Sequence, residues 1–145
     1  MRTILGIWML VICAHVAHAA APEIHVSVPQ QGIDAAERAV HADALRAQTE
    51  ALLREANIEV KSADVCVSKL SIVVGADKVT IKAEVRLVLS TKNDRILSLA
   101  AGTAMMSIEK REYRPEKTRE LRGQVLAGAL EGLGKRVRAA YKRVA

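Results

Sequence analysis

The chain has 145 residues and a formal net charge of +6; half of it is hydrophobic, yet only 2% is aromatic and phenylalanine is absent. That length suits one domain with a real core, and the core must be built from Val, Leu, Ile and Ala, with Met105 and Met106 as fillers. A surface so poor in aromatic stacking platforms disfavours nucleic-acid binding, despite a pI near 9.6.

Met1-Arg2 is a short positive start, and Ile4 to Cys13 is an apolar run; Ala17-His18-Ala19 then gives a small-x-small cleavage pattern. A signal peptide over residues 1–19, cleaved after Ala19, is the expectation, with residues 20–145 as a single exported domain, periplasmic or secreted. The alternative is a retained anchor. It is disfavoured because a spanning helix needs about 20 apolar residues, and His15 and His18 interrupt this stretch. Cys13 is preceded by Ile12, where lipidation requires a small residue, so a lipoprotein is disfavoured as well.

Cleavage leaves Cys66 as the single cysteine, so no internal disulfide supports the domain. Within Val65-Cys66-Val67 the thiol is expected to be buried, the alternative being an intermolecular bridge.

Glu23 to Val28 alternates and reads as a first strand, ended by Pro29. Asp34 with Glu37 three positions on forms a capping-box pattern, opening a helix that runs to about Ala56. Its stripe is expected to be Ala36, Val40, Ala44, Ala47 and Ala51, flanked by Leu45, Leu52 and Leu53, with Asn57 in the left-handed C-terminal position and Ile58 as the hydrophobic return. Asp64 to Val74 is the second strand, and Gly75-Ala76-Asp77-Lys78 a tight turn. Val79, Ile81, Ala83, Val85, Leu87 and Leu89 then alternate with Thr80, Lys82, Glu84, Arg86 and Ser90, the mark of a half-exposed antiparallel strand. Thr91 to Arg95 turns the chain into Ile96 to Ile108, with Gly102 expected as a bulge.

Pro115 starts the last helix, where its missing amide costs nothing. Leu121, Val125, Ala129, Leu133, Val137, Tyr141 and Val144 form its stripe, widened by Leu126, Leu130 and Ala140. Gly128 and Gly132, each costing about 1 kcal/mol against Ala in a helix, imply a close backbone approach. The resulting class is α+β: β-α-β-β-β-α, with two helices on one face of a mostly antiparallel sheet and a wet opposite face around Lys82, Glu84 and Arg86.

No catalytic, cofactor or metal constellation emerges. His25 and His41 have no second histidine at helical spacing, and Cys66 has no partner cysteine. Ser27 near His25 is expected on the opposite face of the strand, which leaves a Ser-His-Asp site only formal. No glycine-rich phosphate loop occurs between a strand and a helix.

Asn57-Ile58-Glu59-Val60 followed by Ala63-Asp64-Val65-Cys66-Val67 resembles the helix-to-strand run of an envelope group: the N-terminal domain of the TolB translocation protein, the curli secretion-pore family and the lipoprotein activators of penicillin-binding proteins. Val79–Leu89, the turn Thr91–Arg95 and Ile96-Leu97-Ser98 are similar to that group's hairpin, and Leu126, Ala127, Ala129, Leu130 and Leu133 to its closing helix. Val65 stands where the group carries an aromatic, and no lipidated cysteine follows the signal. The resemblance implies a non-enzymatic domain working through protein contacts.

Three functions follow from these readings. The first is a binding or assembly module of the bacterial envelope that meets a protein partner through its sheet edge or its last helix; a homo-oligomer is compatible with it. The second is an electrostatic binder of an anionic polymer or lipid surface through Lys135, Arg136, Arg138, Lys142 and Arg143, because the segment from Lys110 onward concentrates the positive charge. The third is a secreted hydrolase with an unrecognised site, for which changing His25 or His41 to Ala would be the test.

Overall fold

The computed structural model describes residues 20–144, so the expected signal peptide, with Trp8, Cys13, His15 and His18, lies outside the described residues. Five long elements and one short strand follow in order: β1 (Glu23–Ser27), α1 (Ala35–Glu55), β2 (Ser62–Val74), β3 (Lys78–Ser90), β4 (Ile96–Glu109) and, after a 3-10 turn at Pro115–Lys117, α2 (Thr118–Val144). The fold is α+β in the expected order. The sheet runs β1-β2-β3-β4, with β1 parallel to β2 and the other pairs antiparallel. A parallel neighbour requires a crossover, and α1 supplies it.

The strict alternation of β3 is what places the core. Val79, Ile81, Ala83, Val85, Leu87 and Leu89 are all 0% exposed. They lie beneath Val125, Leu126, Ala129, Leu130, Leu133 and Val137 of α2. Helix α2 rests mainly on β4 and β3, while α1 lies against α2 and β1.

Both ends of α1 are built as the residues dictate. The Asp34 carboxylate accepts from the Glu37 amide at 2.7 Å. At the other end Asn57 has φ 53°, its amide donates to the Arg54 carbonyl, and the Ile58 amide donates to Leu53 O at 2.9 Å. This is a Schellman ending, with Ile58 buried as its hydrophobic return.

The buried face of α1 is not the expected alanine stripe. Glu37, His41, Leu45, Thr49, Leu52 and Leu53 point inward, whereas Ala36, Ala44 and Ala47 are exposed and Val40 is 50% exposed. Alanine gains little from burial, so three leucines and a polar cluster set the rotation of the helix instead. Thr49 is accommodated by donating its hydroxyl to Leu45 O at 2.7 Å.

Cys66 is exposed, contrary to expectation. With Val65 and Val67 facing the core, the period of two turns the thiol outward, in register between Ser27 and Arg86. The same alternation separates the two methionines: Met106 is partly buried against the core, but Met105 is 68% exposed.

Gly102 is not a bulge. It pairs in register with Val85, and the irregularities fall instead at Ser68, between Val67 and Lys69, and beside Leu97, opposite Leu89 and Ser90. A Cβ at Gly102 would run into the Ala129 carbonyl oxygen and come within 2.8 Å of Leu133 Cβ. The close approach therefore occurs where the strand lacks a side chain. Gly132 was the expected contact on the helix, yet a Cβ there meets nothing within 4 Å, while one at Gly128 makes only ordinary contact with Ala104.

These two glycines should respond oppositely to alanine. Gly102→Ala is expected to lose about 1–3 kcal/mol through overpacking, and Gly132→Ala to gain about 1 kcal/mol from helix propensity. Urea unfolding midpoints at constant slope measure both.

Candidate docking edge and basic helix

Sheet edges expose unpaired backbone groups, and proteins normally blunt them. The β1 edge is blunted: the strand has five residues, Pro22 and Pro29 flank it, and Glu23 and His25 decorate it. The β4 edge is different. It spans 14 residues, and from Ile96 to Ile108 it contains neither a charge nor a proline. Exposed large apolar side chains collect there, with Ile96 at 68%, Leu97 at 40%, Leu99 at 69% and Met105 at 68%. Ala101, Thr103 and Ser107 of the same outer row are exposed as well, and Leu99 sits in register beside half-buried Val88. The wet face expected around Lys82, Glu84 and Arg86 thus carries an apolar margin along β4.

Of the five candidate cations Lys135, Arg136, Arg138, Lys142 and Arg143, three engage separate partners. Arg136 reaches across to β4 and donates from Nη1 to the Ala101 carbonyl at 3.0 Å. Arg138 pairs with Glu55 of α1 at 3.0 Å, and Lys135 with Glu131 at 3.2 Å. Lys142 and Arg143 form neither an ion pair nor a side-chain hydrogen bond among the described residues, and both are exposed near the end of α2.

The histidines are equally separate. His25 is exposed on β1 and 3.7 Å from Glu23. Being two residues apart, His25 and Ser27 share the outer face rather than opposing each other, and Asp64 is the register partner of His25 on that face. No hydrogen bond links these three side chains among the described residues, whereas a nucleophile and its base need contact near 2.6–3.2 Å. No cluster of three or more His, Cys, Asp or Glu with metal-binding geometry occurs among the described residues. A groove of about 620 Å³ between the start of β1 and the β3–β4 turn is walled by Ala21, Pro22, Ile58 and Val60, with Arg54, Glu59 and Lys92 as its charged lining.

His41 belongs to a buried ionic cluster. Glu37 sits in the first turn of α1, where a capping box would send its carboxylate back to Asp34. It turns inward instead: Oε1 accepts from His41 Nε2 at 3.0 Å and from Arg122 Nη1 at 2.9 Å, and Oε2 accepts from the same Arg122 nitrogen at 3.1 Å. An ionised carboxylate only accepts, so His41 carries its proton on Nε2. Arg122 also donates to the Gly32 carbonyl at 3.2 Å, tying the loop before α1 to α2. Burial alone would raise the Glu37 pKa, but hydrogen bonds from Arg122 and His41, reinforced by the charge of Arg122, hold it below the ordinary 4.5. The Glu37–His41 spacing of i, i+4 was visible in the sequence; the Arg122 partner, 85 positions from Glu37, was not.

With this geometry established, comparison with known proteins places the fold. No family model matches the chain, and no curated protein matches it. Among solved structures, it is similar to a minor lipoprotein from Acinetobacter baumannii, with TM-score 0.53 and 11% identity over 85% of this chain and 97% of that one. Weaker likenesses are a candidate lipoprotein from Caulobacter crescentus (TM-score 0.44, 12% identity, 81% and 86% covered) and a candidate homologue of the neuraminyllactose-binding hemagglutinin from Helicobacter pylori (0.43, 10%, 79% and 78%). No helix among the described residues is long and apolar enough to cross a membrane. The chain shares with the Acinetobacter baumannii protein a fold of two helices packed on a four-stranded sheet.

The buried cluster makes stability pH-dependent. Because the folded pKa of Glu37 lies below its unfolded value, the stabilisation is complete above about 4.5 and disappears as pH falls through the lowered folded value. Glu37→Gln should flatten this acid limb of a stability-versus-pH curve. Arg122→Ala, which leaves the carboxylate buried with His41 alone, should cost about 3 kcal/mol at neutral pH in chemical denaturation.

Proposed function

We propose that this chain is an exported, non-enzymatic binding and assembly module of the bacterial cell envelope, acting through protein–protein contacts. The observation that carries the proposal is β4: a long, uncharged sheet edge whose outer row presents Leu99 and Met105 to solvent. Strand addition to such an edge gives backbone hydrogen bonds for affinity and alternate side chains for specificity. The likeness in fold to a lipoprotein, the signal-peptide pattern of residues 1–19 and the resemblance of Asn57–Val67 to the TolB, curli-pore and penicillin-binding-protein-activator group all point to the envelope.

Capture from envelope extracts, eluted stepwise with salt, tests this reading. A defined envelope protein should survive high salt with the wild-type chain and be lost when Leu99 and Met105 both become Lys. Retention that depends instead on His25 or His41, accompanied by a specific hydrolytic activity, would sink the non-enzymatic reading.

A second reading is favoured by Lys142 and Arg143, which have no ion-pair partner among the described residues: contact with an anionic polymer or lipid surface. Screening by salt governs such contacts. Lys142→Glu with Arg143→Glu should then abolish low-salt co-sedimentation with vesicles of phosphatidylglycerol, while vesicles of phosphatidylcholine bind neither protein. Absence of wild-type binding to the anionic vesicles at low salt removes this reading.

A further inference from the structure

We infer that one pole of the molecule docks on an anionic lipid bilayer, its cations meeting the headgroups and its apolar tips entering the interface. The inference deepens the reading of Lys142 and Arg143 as contacts for an anionic surface, and rests on it. The topology decides which residues share that pole. Glu23, Ser62, Ser90 and Ile96 form one continuous register row across the four strands. The row is the last one of the sheet, because β1, β2 and β4 begin there and β3 ends there. Glu37 meets Arg122 and Glu55 meets Arg138, so the two helices run parallel. Since α1 ends just before β2 begins, both helices end at this pole.

Cations collect there from three separate elements. Arg54 lies in the last turn of α1, Lys92 and Arg95 belong to the β3–β4 turn, and Lys142 and Arg143 lie in the last turn of α2. Each is exposed, and none forms an ion pair or a side-chain hydrogen bond among the described residues. Of the anions at this pole, Asp94 is held by Lys61 at 2.8 Å and Glu55 by Arg138 at 3.0 Å. Glu59 and Glu23 alone are left to oppose the cations. Basic residues in a last helical turn also answer the helix dipole, which accounts for Arg54, Lys142 and Arg143 without any ligand. It does not account for Lys92 and Arg95. Their turn is already closed by its own backbone, from Thr91 N to Arg95 O at 2.9 Å and from Asp94 N to Thr91 O at 3.0 Å.

Apolar side chains stand among these cations. Ile96 and Leu97, next to Arg95 in the chain, are both exposed. Leu97 shares a hollow with Val137 and Tyr141 of α2, which sets it beside the helix end that carries Lys142 and Arg143. The groove of about 620 Å³ opens between Arg54 and Lys92 over Ile58 and Val60, so apolar surface continues towards α1. Cations interleaved with aliphatic tips suit a lipid interface: the tips enter the headgroup boundary, and each Lys or Arg adds attraction to anionic lipid. A soluble anionic polymer would use the cations alone. The chain also enters the fold here, since Ala20 and Pro22 line the groove. The apolar run expected to enter the membrane before cleavage therefore joins the domain on this side.

Co-sedimentation with phosphatidylglycerol vesicles at low salt tests this, using the chain from Ala20, which holds every element of the fold. Lys92→Glu with Arg95→Glu should weaken binding about tenfold or more. Lys110→Glu with Lys117→Glu makes the same change in net charge at the opposite pole, between the far end of β4 and α2. It should weaken binding less than about threefold, because those charges lie beyond the screening length from the lipid. The processed chain lacks tryptophan, since Trp8 precedes the cut, so a single one can report insertion. The emission of Ile96→Trp should shift to the blue on the vesicles, and that of Val74→Trp, at the opposite pole, should not. All the substituted side chains are exposed, so circular dichroism and urea midpoints should match wild type. Equal losses in the two double variants, or an Ile96→Trp emission that stays unshifted while the protein sediments, overturn the inference and leave the anionic-surface reading standing. Failure of wild type to sediment with the vesicles overturns both.

Discussion

Helix α2 can lie against the sheet only where β4 lacks a side chain. At Gly102 the Ala129 carbonyl and Leu133 Cβ occupy the space that any other residue would fill, and this contact sets the height of the helix above β3 and β4. From that seat α2 covers the six fully buried residues of β3. It also presents Gly134 to Leu52, whose Cδ1 would lie 3.0 Å from a Cβ at that glycine. The second helix is thus placed by the first contact: α1 docks on α2 through a glycine, and its remaining leucines then close over β1 and β2. A sheet seated this closely from one side has its opposite face and its outer edge left to solvent.

Hydrophobic burial alone would not orient α1. Its alanines offer little area, and Leu45, Leu52 and Leu53 fix only its C-terminal half. The N-terminal half is held by Glu37, His41 and Arg122. A charge buried this deeply is tolerable only when paired and hydrogen-bonded, and here the carboxylate meets two donors while the guanidinium also ties down Gly32. The cluster adds directionality that three methyl-rich contacts would lack: only one rotation of α1 brings Glu37 to Arg122. Its cost is sensitivity to acid, since protonating the carboxylate removes the charge on which the pairing depends.

The division between what the residues announced and what they hid follows from these contacts. The order of elements, the β3 alternation and both caps of α1 were legible because each depends on neighbours within a few positions. Asp34 and Glu37 made half of the expected capping box. Glu37 left the other half because Arg122, distant in sequence, offered a stronger partner. The face of α1 was misread for the same reason: counting alanines at helical spacing cannot reveal a buried ion pair completed from another helix. Cys66 and Met105 were placed inside on hydrophobicity, yet the alternation of their own strands turned them outward. For Gly102 the close approach was anticipated in kind but assigned to the wrong partner, since a glycine in a strand reads equally as a bulge or as a seat. The basic residues of α2 read as one patch, whereas Arg136 and Arg138 turned to opposite flanks to meet Ala101 and Glu55.

The contrast between the two sheet edges bears most directly on function. A short strand between prolines, with Glu23 and His25 on it, is what an edge needs to stay unpaired, and β1 has it. β4 is longer and has neither a charge nor a proline from Ile96 to Ile108, and Arg136 meets it at the Ala101 carbonyl, so the devices that guard β1 are not repeated along it. Poor edge design in general would not produce this asymmetry, because the same chain protects β1 thoroughly. Nor does the seating of α2 require it: Gly102 answers that need on the inner face, while Leu99 and Met105 belong to the outer one. Lysines at those two positions would leave the core untouched and make the edge safe. Their absence is what the proposed docking role of β4 requires.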